Sequence, residues 1–186
     1  MNKEIGLVSE NNGSTVVALY EGLKRKDTSY QSEAQLEEEF IKTLVEQGYE
    51  YLTFTSEEEL VSNLRNKLEE LNHFTFEDDE WNNFFIKEIA NQNNGIKEKT
   101  FIIQKDEIKV LKRNDGTSYN IRLIDKYNIH NNKLQVINQY TNTGSRDNRY
   151  DVTILVNGLP LVHVELKRRG KTLREAFNQI DRYQRE

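Results

Sequence analysis

Apolar residues recur along this chain at two periods, helical in the first half and strand-like after about residue 100. From Ser32, whose hydroxyl can cap a helix, Leu36, Phe40, Leu44 and Val45 follow at helical spacing, with Gly48 as a stop. Residues 49–54 predict a short strand. Ser56 with Glu59 three positions on reads as a capping box, and Leu60, Leu64, Leu68 and Leu71 continue the stripe of a second helix. A third helix over 78–91 is patterned by Trp81, Phe84, Phe85, Ile89 and Ala90, and 91–95 is a polar break. Trp81 with the two phenylalanines is expected in the core rather than as an exposed platform for stacking bases. Before Ser32 the signal is weak: 15–20 predicts a short strand after polar sequence containing Gly and Asn.

Beyond the break, strands are predicted at 101–103, 108–111 and 119–124, with an Asp115-Gly116 turn between the last two. A strand over 133–140 alternates through Leu134 and Val136, and 141–147 reads as a polar loop. Residues 149–156 and 161–167 form two more strands, joined by Asn157-Gly158-Leu159-Pro160, where glycine is free to take a positive φ. Leu173, Ala176, Phe177 and Ile180 make the buried stripe of a last helix running from about 173 to the end. The expected fold is α/β: a mixed, mostly antiparallel central sheet, packed by helices from the first half and from the last segment. We expect one domain over 1–186, with a lead-in at 1–30, a mainly helical part at 31–100, and the sheet, the site and a closing helix at 101–186. The pattern stops inside its last helix with no stop signal, so the expected natural protein is longer.

Composition narrows the classes. A chain of 186 residues suffices for one sizeable core, although 35% hydrophobic and 31% charged is more polar than average. Cysteine is absent, which excludes disulfides and thiolate metal sites and leaves oxygen or imidazole ligands for any metal. No apolar run approaches the roughly 20 residues of a membrane span, and residues 1–10 lack the regions of a signal peptide. The expectation is a soluble, cytoplasmic protein without a membrane partner. A net charge of −5 argues against binding a polyanion by bulk positive charge. From Leu161 onward, however, seven Lys or Arg stand against four acids, a balance of +3 that leaves −8 for everything before.

That basic tail holds two of the three residues expected to carry chemistry. Asp151 lies near the start of one predicted strand, and Glu165-Leu166-Lys167 ends the next. Side chains alternate along a strand, so Glu165 and Lys167 share a face, while Val162, Val164 and Leu166 take the other, apolar one. A hairpin brings two carboxylates and one ammonium to one rim of the sheet. A hard divalent ion such as Mg²⁺ prefers carboxylate oxygen and keeps several waters. Asp151 and Glu165 are the expected ligands, with the Leu166 backbone carbonyl as a further one. Lys167 would orient the attacking water or stabilise the negative charge that develops. A bare Glu-x-Lys is far more often a solvated strand end. The Asp at hairpin distance, the apolar flanks and the basic run through Gly170 into an amphipathic helix are what set this one apart.

The pair Asn148-Arg149-Tyr150-Asp151-Val152-Thr153 and Val162-His163-Val164-Glu165-Leu166-Lys167 resembles the PD-(D/E)xK nuclease motif, with Tyr in place of the Pro. Residues 144–151 (GSRDNRYD), Leu159-Pro160-Leu161 and Glu165-Leu166-Lys167-Arg168 resemble the N-terminal nuclease domain of the restriction (motor) subunit of type I restriction–modification enzymes. Gln179 and Tyr183 match that family's Q-xxx-Y motif, and Ser32-Glu33-Ala34-Gln35-Leu36-Glu37 with Leu44 and Gly48-Tyr49 is similar to its first core helix. The similarity runs from about residue 30 to the end. It implies an Mg²⁺-dependent endonuclease that cuts foreign, unmethylated double-stranded DNA. In full it would carry ATP-driven translocase domains and join methylation and specificity subunits. No Gly-rich phosphate loop occurs here, so ATP is expected only in domains outside these residues. The alternatives are a recombination or repair exonuclease of the same core and a non-catalytic docking module.

Further residues carry weaker signals. Gln179 and Tyr183, four apart, share a helix face and would support Lys167 or touch DNA. Arg168, Arg169 and Lys171 are candidate phosphate contacts, against a plain solvated turn. Glu37, beside the stripe of the first helix, is a candidate to assist the metal, in competition with Glu33, Glu38 and Glu39. His163 shares the Glu165 face, where a hydrogen-bonded structural role is weighed against ligation or proton transfer.

Overall fold

Side-chain caps start both long helices at the serines. The structure, a computed structural model, describes residues 5–10, 16–20, 32–138, 141–143, 147–149, 151–167, 174, 177 and 178. In chain order these form β1 (Ile5–Glu10), β2 (Val16–Tyr20), α1 (Glu33–Glu46), β3 (Glu50–Leu52), α2 (Glu57–Asn72) and α3 (Asp78–Phe84). A π-helical turn, Phe85–Ile89, extends α3, and α4 (Ile96–Lys105) follows. The rest is β4 (Ile108–Lys112), β5 (Ser118–Arg122), β6 (Leu134–Asn138), β7 (Thr141–Thr143), β8 (Asp147–Arg149), β9 (Val152–Val156) and β10 (Leu159–Val164).

The backbone N–H of Gln35 donates to Ser32 Oγ while Gln35 Oε1 accepts from the Ser32 N–H, a reciprocal box at the start of α1. At α2 the Glu59 N–H donates to Ser56 Oγ, but the Glu59 carboxylate reaches one residue further back, to the N–H and hydroxyl of Thr55. Gly48, at φ +94°, closes α1 as expected.

The chain divides into two compact units, Met1–Glu38 with Glu165–Glu186, and Glu39–Val164. In the first, β1 pairs antiparallel with β2. In the second, a four-stranded sheet runs in the order β10-β9-β6-β3, antiparallel except for the parallel pair β3–β6. It is the mixed, mostly antiparallel sheet that the strand pattern predicts. β4 and β5 form a separate antiparallel ribbon. Leu64 and Leu68 of α2 meet Phe76, Trp81, Phe84 and Leu159 in the core of this unit. Phe76 and Trp81 pack edge to face at 5.2 Å, so the aromatic cluster is interior and not a stacking platform.

Several elements depart from the pattern. Residues 101–103 belong to α4 rather than to a strand: a three-residue apolar run has no period of its own, and helix-forming Lys and Glu precede it. Of the loop expected over 141–147, residues 141–143 and 147 are in strands instead, since Thr141 pairs with Arg149 and Thr143 with Asp147; polar side chains do not prevent a backbone ladder. β1 adds a strand in the lead-in where only β2 was legible. The strand expected over 149–156 is divided between β8 and β9, and the one expected over 161–167 ends at Val164. The hairpin turn is two residues, not four. Asn157 and Gly158 have φ of +52° and +82°, the left-handed pair of a tight hairpin, so Leu159 and Pro160 already belong to β10. Of the closing helix only residues 174, 177 and 178 are described, all helical; Leu173, Ala176 and Ile180 lie outside the described residues.

The segment between β5 and β6 is held by Asp125, which is 4% exposed. Its carboxylate accepts from the N–H groups of Tyr127 and Asn128, from Asn131 Nδ2 and from Arg122. These donors, the Asn128 N–H first, lower its pKa from the ordinary 3.8 to about 2. The folded state thus binds this proton less readily than the unfolded one. The stabilisation is complete above pH 3.8 and fades as the pH falls toward about 2. Asp125→Asn is expected to flatten the loss of stability over that interval, measured by denaturant melts from pH 5 to pH 2.

Candidate active site

The β9–β10 hairpin sets the frame. Its register is shifted between Pro160 and Val162 and regular thereafter: Val162 faces Ile154, His163 faces Thr153 and Val164 faces Val152. Asp151 immediately precedes Val152, and Glu165 immediately follows Val164. Asp151, Glu165, Leu166 and Lys167 are all half-buried. Within the last three, Lys167 Nζ donates to Glu165 Oε1, and the Glu165 side chain is only 4% exposed. A carboxylate so withdrawn from water, with an ammonium on it, is not the solvated strand end of the bland alternative.

The apolar face expected opposite these groups is only partly formed. Val162 is 46% exposed, and Val164 and Leu166 are half-buried. The register shift beside Val162 and the end of β10 at Val164 account for this, since alternation between faces holds only along a regular strand.

His163 has the hydrogen bond expected of a structural histidine. Its Nδ1 lies 2.9 Å from Thr153 Oγ1 on the facing strand, and Thr153 is buried. Desolvation by the atoms around the imidazole disfavours its charged form and holds its pKa below the usual histidine range, although the residue as a whole is exposed. Thr153 was not legible as a site residue. Only the pairing register, which depends on the two-residue turn, puts it opposite His163.

On α1, Glu37 is 9% exposed, whereas Glu33, Glu38 and Glu39 are exposed. Of the four acids competing for a role there, Glu37 alone is withdrawn from water. Gln179, Tyr183, Arg168, Arg169 and Lys171 lie outside the described residues.

The donor set fits a hard divalent ion: carboxylates and a backbone carbonyl, with no thiolate in the chain. Among the described residues no group of three or more His, Asp or Glu gathers as a protein-only cage. An ion held by Asp151 and Glu165 would keep several of its waters, as Mg²⁺ does. No helix among the described residues is long and apolar enough to cross a membrane.

The pattern of one protein family, described as the type I restriction enzyme R protein N terminus, matches residues 30–186. The chain belongs to that family. An Escherichia coli protein named type I restriction enzyme EcoprrI endonuclease subunit is 44% identical to this R-protein N-terminal chain over 180 residues, 96% of this chain and 58% of its own length. A Staphylococcus saprophyticus protein named type I restriction enzyme SsaAORF53P endonuclease subunit is 38% identical over 159 residues, 84% of this chain and 17% of its own length. A Methanocaldococcus jannaschii protein, named putative type I restriction enzyme MjaVIIIP endonuclease subunit, is 35% identical over 77 residues, or 40% of this chain. The chain thus spans a little over half of the first relative and about a sixth of the second.

Proposed function

We propose that this chain is the Mg²⁺-dependent DNA endonuclease domain of a type I restriction enzyme R subunit, with a PD-(D/E)xK core in which Asp151, Glu165 and Lys167 carry the hydrolysis. The observation that supports it most is the Val152–Val164 pair, flanked on one strand by Asp151 and on the other by Glu165-Leu166-Lys167, in a chain of this family.

Asp151 and Glu165 would hold the ion through their carboxylates, with the Leu166 carbonyl as a further oxygen donor. The chemistry such an ion would supply is to make hydroxide accessible near neutral pH and to neutralise charge on the phosphoryl oxygens. The Lys167 ammonium, donating to Glu165 here, orients the attacking water or stabilises the charge that builds on the phosphate. Water gives up a proton to solvent as it adds to phosphorus, and the ester oxygen on the far side leaves and takes a proton from solvent. Glu37, the buried acid of α1, is the candidate to assist the ion. Arg168, Arg169 and Lys171 contact phosphates without reading sequence, and Gln179 and Tyr183 support Lys167 or touch DNA. At −5 net charge the domain holds DNA weakly by itself. Double-stranded DNA is therefore presented by ATP-driven translocase domains elsewhere in the longer subunit, assembled with methylation and specificity subunits in the cytoplasm.

Calorimetric titration with Mn²⁺ tests the ligand assignment. Asp151→Ala is expected to weaken binding by at least about a hundredfold, the upper end of what loss of an outer-shell partner costs. Equal binding by variant and wild type would support a docking module that kept the fold without the chemistry.

A further inference from the structure

Thr153 and His163 are the last cross-strand pair of one hairpin face before the chain reaches the two carboxylates. They are register partners, and their side chains share a hydrogen bond of 2.9 Å. A hydroxyl both donates and accepts, so the bond can form with either imidazole tautomer. Asp151 lies two residues before Thr153, and Glu165 two residues after His163. In an antiparallel pair these opposite chain directions are one direction along the ribbon, so both carboxylates follow the Val152–Val164 pair at the same end of the hairpin. The register irregularity lies on the other side of this pair, toward the turn.

The hydroxyl is not needed for packing. Thr153 is 2% exposed between Val152 and Ile154, and valine has nearly the same shape with no less preference for strands. What threonine adds is the directed link to His163. Separation and twist of the two strands are thereby tied at the side-chain pair next to the ligand positions.

We propose that the Thr153–His163 bond is a positioning device that preorganises the Asp151 and Glu165 carboxylates for a divalent cation. Neither residue touches the ion. This inference rests on the proposed role of Asp151 and Glu165 as ligands, and it gives His163 the function of an orienting group rather than of a ligand or proton carrier. Outer-shell partners of this kind typically govern about 10–100-fold in metal affinity or activity.

The test is Mn²⁺ affinity of the full-length subunit by calorimetry, with melting temperature recorded for each variant. Thr153→Val is expected to bind Mn²⁺ about tenfold more weakly, with melting unchanged. Thr153→Ser, which restores the hydroxyl, should recover wild-type affinity. His163→Leu should lose as much as Thr153→Val, and the double variant no more than either, because both remove one bond. His163→Asn, which keeps a hydrogen-bonding atom near the position of Nδ1, should lose less and carries the test if Thr153→Val melts early. Wild-type affinity in Thr153→Val, or no recovery in Thr153→Ser, overturns the positioning role while the ligand assignment stands. Wild-type affinity in Asp151→Ala removes the ligand assignment itself, and the positioning role with it.

Discussion

Gly158→Ala is expected to destabilise the fold by about 3–5 kcal/mol, lowering the melting temperature by about 10 °C or more. Two causes add. Gly158 has a φ of +82°, where any side chain strains the backbone. A Cβ placed there would also stand 2.6 Å from the Cα and 3.0 Å from the backbone nitrogen of Leu64. Those are backbone atoms in the middle of α2, so no rotamer change relieves the clash. Either the hairpin lifts or the helix shifts, and Leu64 and Leu159 both belong to the core between them. Gly48→Ala is the control: φ is +94°, but nothing lies within 4 Å of an added Cβ. Strain alone should cost it about 1 kcal/mol. Thermal and urea melts of the two variants check the difference. Equal losses would mean that the turn does not press on α2.

Lys167→Ala should have the opposite signature, an intact fold with DNA cleavage reduced by about 10²–10³-fold. Lys167 is about one-fifth exposed and its ammonium donates to Glu165, whose side chain is 4% exposed. Its removal takes away the positive charge beside one proposed ligand and beside the phosphate to be cut. Substrate positioning by the rest of the protein survives, so the loss should fall on the maximal rate rather than on DNA binding. Lys167→Arg should restore little. A planar guanidinium has the charge but not the compact, rotatable donors that a water and a phosphoryl oxygen would share.

How far the sequence could be read depended on how local each signal was. Ser32 and Ser56 were legible as helix starts because a cap is decided within four residues, and the structure forms both bonds. The hairpin that carries Asp151 and Glu165 was legible because its pairing is local: Val152 faces Val164, and the two carboxylates are the next residues in the sequence. Residues 101–103 misled because three adjacent apolar residues fit a strand and a helix equally, and neighbours decided for α4. The turn misled because Leu159 and Pro160 look like loop residues, whereas Asn157, fully buried, pins a tighter turn. Its amide donates to the Leu123 carbonyl and to Asn132 Oδ1, and its Oδ1 accepts from the Lys133 N–H, groups 24 to 34 residues away. The two-residue shift follows from contacts that no local pattern contains. The Thr153–His163 bond was illegible for the same reason, whereas the place of Glu37 beside the helical stripe was legible from local spacing and the residue is buried.

The most direct measurement is cleavage of a supercoiled plasmid bearing the recognition site, with Mg²⁺ and ATP, by the full-length subunit assembled with the methylation and specificity subunits proposed for it. Wild-type protein should linearise the plasmid. The Lys167→Ala assembly should leave it supercoiled while still hydrolysing ATP. Linearisation by that variant at the wild-type rate would contradict the assignment of this segment as the nuclease.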